Sequence, residues 1–354
     1  MEGESKKNAA PGSYPLALRP HFPVSISGAK NPGFGPGMAA DAYSLPVFML
    51  ALLIYVLFSS AIVFTFKYFG QFRIPTFQAL VVNYLTCTLV GWLMSGSPSL
   101  APLKTGGAWL VAAVVLGALF IATFYLVALT TQRVSVSAAA VATKMSLVIP
   151  VAFNLVVLRQ AQRPYTALNY VGMVLAVVAI ILTVWKPVPA PAGSRGAQAA
   201  RSAWLLPVLA FLASGSGDTL LNYASSRLLP MPAHQALFPI LLFGTAAVVG
   251  LFVLAGRLFA HVETMQWRSL PAGIVLGILN FYSVYFLIRA LGAFGNDGAF
   301  VYPLANIGTI LLGALGGYVL FRERLGRTGQ LGLMAALVAL LLLSYQEVLA
   351  AAGA

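Results

Sequence analysis

The sequence predicts an all-α polytopic membrane protein with ten transmembrane helices arranged as two inverted five-helix repeats. Three observations carry this. Of 354 residues, 60% are hydrophobic and 8% charged, against about 45–50% and about 25% in soluble domains. So few charges cannot cover a soluble surface of this size. From Pro46 onward the chain falls into ten apolar segments of about 20 residues, the length that crosses about 30 Å of hydrocarbon. Those segments divide five and five around the stretch VPAPAGSRGAQAAR at 188–201.

Residues 1–44 hold six prolines and few aliphatic side chains, a composition that predicts a disordered tail. No apolar segment stands early enough to act as a signal peptide. Met38 and Met49 are alternative starts. The spans are predicted at 46–66, 75–95, 108–130, 134–157, 165–185, 204–226, 233–256, 270–291, 297–320 and 329–348. The first repeat therefore occupies 45–186, a flexible linker 187–203, and the second repeat 204–350.

The repeat shows in the residues. PTFQAL at 75–80 opens the second span and PAHQAL at 232–237 opens the seventh, offset by 157. Lys67-Tyr68 and Asn222-Tyr223 close the first and sixth, offset by 155, and Ala128-Leu129 matches Ala290-Leu291 at 162. Five is odd, so the two halves must enter the membrane with opposite orientation. Such inverted repeats are typical of transporter folds whose substrate site lies near midplane.

The net charge of +13 does not indicate nucleic acid. The basic residues stand singly or in pairs between apolar runs, as loop charges that orient spans do. Cys87 is the single cysteine, which excludes an intrachain disulfide and reads as a small core residue. His21, His234 and His261 have no metal-ligand spacing among themselves or with Cys87, so neither a metal nor a cofactor is expected.

The chain resembles the EamA-type transporters of the drug/metabolite transporter superfamily over roughly 46–348. The stretches that carry the likeness are the first span through PTFQALVVNY, FYLVALTTQ at 124–132, KMSLVIPVAF at 144–153 and SGSGDTLLNY at 214–223. NFYSVYFLIRAL at 280–291 and LFRERLGRTGQLG at 320–332 complete it, the latter with an acid, Glu323, before the final helix. The first half departs at that point: LRQAQR at 158–163 has no acid. The resemblance implies a multi-pass protein of a bacterial cell membrane that exports or exchanges a small metabolite. It also implies cytoplasmic termini. Loop charges argue the other way, with eleven Lys/Arg after odd-numbered spans and five after even-numbered ones, which places the termini outside.

Two charges lie inside spans. Lys144 stands about ten residues into the fourth and Asp218 about fourteen into the sixth, about 15 Å and 21 Å deep at 1.5 Å per residue. Either charge alone at the centre of a bilayer costs about 2.5–3.5 kcal/mol. A Lys144–Asp218 pair is therefore expected in the empty protein, either locking the halves together or forming the site. In the second case Lys144 would hold an anionic group and Asp218 would be the candidate proton carrier. The related small multidrug-resistance proteins likewise carry a carboxylate in the first span of the fold. Asn306 occupies the second-half position matching Lys144, and Asn222 and Asn280 are further span amides that either line a wet cavity or bond helix to helix. Phe281, Tyr285 and Arg289, spaced four apart, share one helix face. They form either an aromatic wall with a basic gate or core aromatics beside a snorkelling arginine. Gly273 and Gly277, and Gly313 and Gly317, form small-residue faces for close helix crossing.

These residues predict a secondary transporter with a small-molecule substrate in a lipid bilayer, with proton coupling through Asp218. No GxxxxGK[ST] occurs, so the chain has no phosphate-binding loop for ATP-driven transport. The alternatives are an intramembrane lipid-modifying enzyme, for which His234 has no obvious partner, and a membrane scaffold without solute flux.

Overall fold

The structure, a computed structural model, describes residues 44–96, 98, 100–153, 166–184, 194–229, 232–293, 298–346 and 349. The predicted tail before Ser44 and the LRQAQR stretch lie outside them. The described residues form twelve helices and no strands: α1 Ser44–Gln71, α2 Thr76–Met94, α3 Ala101–Thr105, α4 Ala108–Arg133, α5 Val136–Met145 and α6 Val148–Phe153, then α7 Ala167–Val184, α8 Ser194–Arg227, α9 Pro232–Phe259, α10 Ser269–Ala293, α11 Gly298–Phe321 and α12 Arg327–Leu343.

Eight helical spans are long and apolar enough to cross a membrane, counting α5 and α6 as one. The protein is thus a polytopic helical membrane protein. The two remaining predicted segments are occupied by shorter apolar helices of 17 residues, Ala167–Thr183 and Arg327–Leu343. Outward-facing positions are apolar: Phe252 is 76% and Leu93 67% exposed, as lipid contact permits and water does not.

Three boundaries differ from expectation. The fourth span is not one helix, because α5 stops at Met145 and α6 starts at Val148. Pro150 has no N–H to offer the carbonyl of Ser146, and its ring crowds that carbonyl. The chain instead makes a tight turn in which Ile149 N donates to Ser146 O at 2.9 Å. Second, α8 begins at Ser194, inside the predicted flexible linker; AQAARSAW is rich in alanine, the strongest helix former. Third, the short α3 occupies the connection before α4.

Helix direction alternates, so the C-termini of α1, α4, α9 and α11 meet the N-termini of α2, α5, α10 and α12 at one end of the bundle. At that end α1, α9 and α11 each stop on a non-glycine residue with positive φ: Arg73 at 52°, His261 at 53° and Arg322 at 53°. The chain reverses there as at left-handed helix caps. Gln78, fully buried, ties the α9–α10 connection down by donating to Thr264 O at 2.8 Å and accepting from Gln266 N at 3.0 Å.

Packing between helices α1–α7 and helices α8–α12 is largely reciprocal. α1 packs on α10 and α11; α8 packs on α4 and on α5 and α6; α2 packs on α9 and α10, and α9 on α4. α5 meets α11, and α7 meets α12. Glycine permits several of these approaches. A Cβ on Gly273 would stand 2.5 Å from Ala79 O, and one on Gly277 would stand 2.6 Å from Thr86 Cβ. The predicted small faces therefore pack, each across the two halves: α10 on α2, and α11 on α5. Gly317 has a second role, since a Cβ there would lie 3.0 Å from a Glu323 carboxylate oxygen.

Candidate functional site

The α5–α6 break places Lys144 in the last turn of a short helix, directly before the turn at Ser146. Lys144 is half-buried. Its Nζ donates to the Tyr55 hydroxyl of α1 at 2.9 Å and stands 5.5 Å from the centre of the same ring. Tyr55 is buried, so the lysine charge rests on a phenol rather than on a carboxylate.

Asp218 on α8 is the second charge. Its side chain is exposed, and Lys144 stands close enough to act on it electrostatically. Its Oδ2 is 3.3 Å from Ser146 Oγ, but the same hydroxyl is 2.6 Å from Thr143 O. Ser146 has one proton to give, and the nearer carbonyl takes most of it. Asp218 therefore keeps accepting capacity.

The expected direct Lys144–Asp218 pair is not formed. Among the described residues the ion pairs are Lys67–Glu323 at 2.8 Å and Arg257–Glu263 at 3.1 Å. The reason is local: the turn forced by Pro150 lets Ser146, not Lys144, meet α8, while α1 offers Lys144 a hydroxyl. Tyr302 of α11 completes the group. It is 42% exposed and lies within electrostatic reach of Tyr55 and Asp218. Tyr55, Lys144, Ser146, Asp218 and Tyr302 thus converge from α1, α5, the turn after α5, α8 and α11.

The other predicted residues sort by position. Asn306 is buried one turn beyond Tyr302 on α11. Asn222 is exposed one turn beyond Asp218 on α8. Asn280 joins a helix seam: its Nδ2 is 3.4 Å from Asn83 Oδ1 on α2, one turn from where Cys87 Sγ donates to Gly277 O at 3.4 Å. Cys87 is a buried core residue, and Asn280 bonds helix to helix. Tyr285 is half-buried, edge-on to Tyr282 and Phe286, with exposed Arg289 5.6 Å over its ring. Buried His234 stacks on Trp109 at 4.7 Å between ring centres. An apolar groove along Tyr170, Val171, Val174, Leu175 and Val178 belongs to the outer face of α7 and holds no charged side chain.

Sequence reasoning missed Tyr55, Ser146 and Tyr302. Ser146 was two residues from a residue already singled out. Tyr55 and Tyr302 stand in apolar runs with no spacing to mark them.

No family model matches the chain. An uncharacterized protein of Haemophilus influenzae is 35% identical over 92 residues, 25% of this chain and 32% of that protein. The chain thus matches about a third of that relative's length. A protein solved by crystallography superposes with a TM-score of 0.51 at 15% identity, covering 84% of this chain and 96% of the other. That likeness concerns the fold alone.

Proposed function

We propose that the chain is a secondary transporter of the EamA type, moving a small anionic or amino-acid-like metabolite across a cell membrane by alternating access. The observation that carries this reading is the placement of Lys144 and Asp218. They lie mid-bundle, within electrostatic reach, each facing a neutral hydroxyl instead of the other. Unsatisfied charges inside a membrane bundle mark solute and ion pathways. A cation and a carboxylate held apart suit a ligand with both signs better than a simple anion, which Asp218 would repel. Asp218 is the group that would carry a coupled proton.

The reciprocal packing supports ten spans in two inverted halves. The pairs α1–α10 and α8–α4, α1–α11 and α8–α5, and α2–α10 and α9–α4 are related by exchange of the halves, whereas α5–α12 and α7–α8 have no counterpart of similar extent. A two-fold axis in the membrane plane produces such exchange. α7 and α12, at 17 apolar residues each, fall within the range of about 17–25 that spans a bilayer. Export or exchange is the direction this reading takes.

The test is thermal stabilisation of purified protein by a metabolite library, with Lys144→Gln and Asp218→Asn beside wild type. Zwitterionic ligands should raise the melting temperature of wild type and of neither variant. Equal stabilisation of all three would remove the site from Lys144 and Asp218.

A further inference from the structure

We propose that Lys67, Glu323 and the first turn of α5 form a latch that closes one end of the bundle and that the repeat-related positions of the sequence do not duplicate. The inference rests on the transport reading, since a latch has a purpose only where an end must open.

The latch is built by local structure. Arg322 takes a left-handed conformation with φ 53°, turning the chain so that Glu323 N donates to Gly317 O at 2.9 Å. This aims the carboxylate back across the end of α11 into the space that Gly317 leaves open. There it accepts Val136 N at 3.1 Å on both oxygens and pairs with Lys67 Nζ at 2.8 Å. Val136 is the first residue of α5, whose free N–H groups and dipole favour an anion. Lys67 also donates to Thr131 O at 3.3 Å near the end of α4. One carboxylate of the second half thereby holds three helices of the first. Both side chains are largely buried, at 18% and 12% exposure. The bonds are charge-assisted and poorly hydrated, the strong kind.

The sequence offsets show the asymmetry. Lys67 corresponds to Asn222, and Glu323 falls opposite the LRQAQR stretch, which holds no acid. Asn222 is exposed. The repeat-related positions therefore do not rebuild this ion pair. In this arrangement the latched end is shut, while Tyr302 and Asp218 are exposed.

Reporter cysteines in a Cys87→Ala background test this. Ser137→Cys lies buried at the latched end between α5 and α11; Tyr302→Cys lies exposed near the start of α11. With the latch intact, a water-soluble maleimide should label 302 quickly and 137 slowly. Adding Glu323→Gln should raise the rate at 137 about tenfold, the population change expected for losing a charged hydrogen bond, and lower it at 302. Lys67→Gln should act in the same direction but less, because Glu323 keeps its bond to α5; it also keeps the test open should Glu323→Gln not fold. Unchanged rates, or rates rising together at both positions, would overturn the latch. No ligand is needed for this readout. A null result beside ligand stabilisation of wild type removes the latch alone and leaves the transport reading standing.

Discussion

Lys144 and Asp218 lie within electrostatic reach without sharing a bond. Lys144 donates to Tyr55 Oη at 2.9 Å, and Asp218 meets Ser146 Oγ at 3.3 Å. A buried ion pair would lock the two helices and screen both charges. Held apart, each retains capacity for a ligand.

Tyr55→Phe removes the acceptor that parks Lys144 and keeps the ring beneath it. Freed, the ammonium is expected to move toward Asp218 and compete with ligand. Affinity should fall about tenfold, the scale of a hydrogen bond to a charged group, with little change in melting temperature. Titration of a stabilising ligand against both proteins measures it.

Pro150→Ala restores an N–H able to reach Ser146 O and removes the ring that breaks the helix. The α5–α6 turn should then straighten, carrying Lys144 and Ser146 out of register with Tyr55 and Asp218. The expected outcome is equal or greater thermal stability together with weakened ligand binding. Weakened stability with intact binding would show that the break does not place the site.

The glycine faces should respond unequally to alanine. A Cβ at Gly273 meets backbone oxygen Ala79 O and Val82 Cβ, both at 2.5 Å, and neither can yield without moving α2. At Gly313 the nearest atom is Ala140 Cβ at 3.1 Å, a few tenths of an ångström from tolerance. Gly273→Ala should cost about 1–3 kcal/mol, as overpacking does, and Gly313→Ala distinctly less. Chemical denaturation in detergent compares them. Gly313→Leu and Gly317→Leu should abolish solute flux in proteoliposomes, because α11 could no longer ride on α5.

Asn169 holds the α7–α12 pair by donating to Leu342 O and Leu343 O at 3.2 and 3.1 Å while accepting from Thr166 N at 2.9 Å. Asn169→Ala leaves those carbonyls and that amide unpartnered at a buried position, which costs about 1–3 kcal/mol. A lower melting temperature with unchanged ligand affinity is the expected signature, since the pair lies away from Lys144 and Asp218.

Hydropathy and spacing by themselves determined that the chain crosses a membrane and that Lys144 and Asp218 stand inside two of its apolar segments. Hydrocarbon selects apolar runs of one length and makes any charge within them conspicuous. Helical period gave Gly273 and Gly277 a common face without naming α2 as the helix it meets. Only the tertiary structure decided the partners. Tyr55 lies 89 residues from Lys144, and Ser146 lies 72 from Asp218. A hydroxyl in an apolar run carries no mark of the charge it will face. Glu323 and Val136, 187 residues apart, meet because the chain reversals between them and a left-handed Arg322 bring them to one end. Periodicity sets which residues share a helix face; the packing of whole helices sets what each face meets.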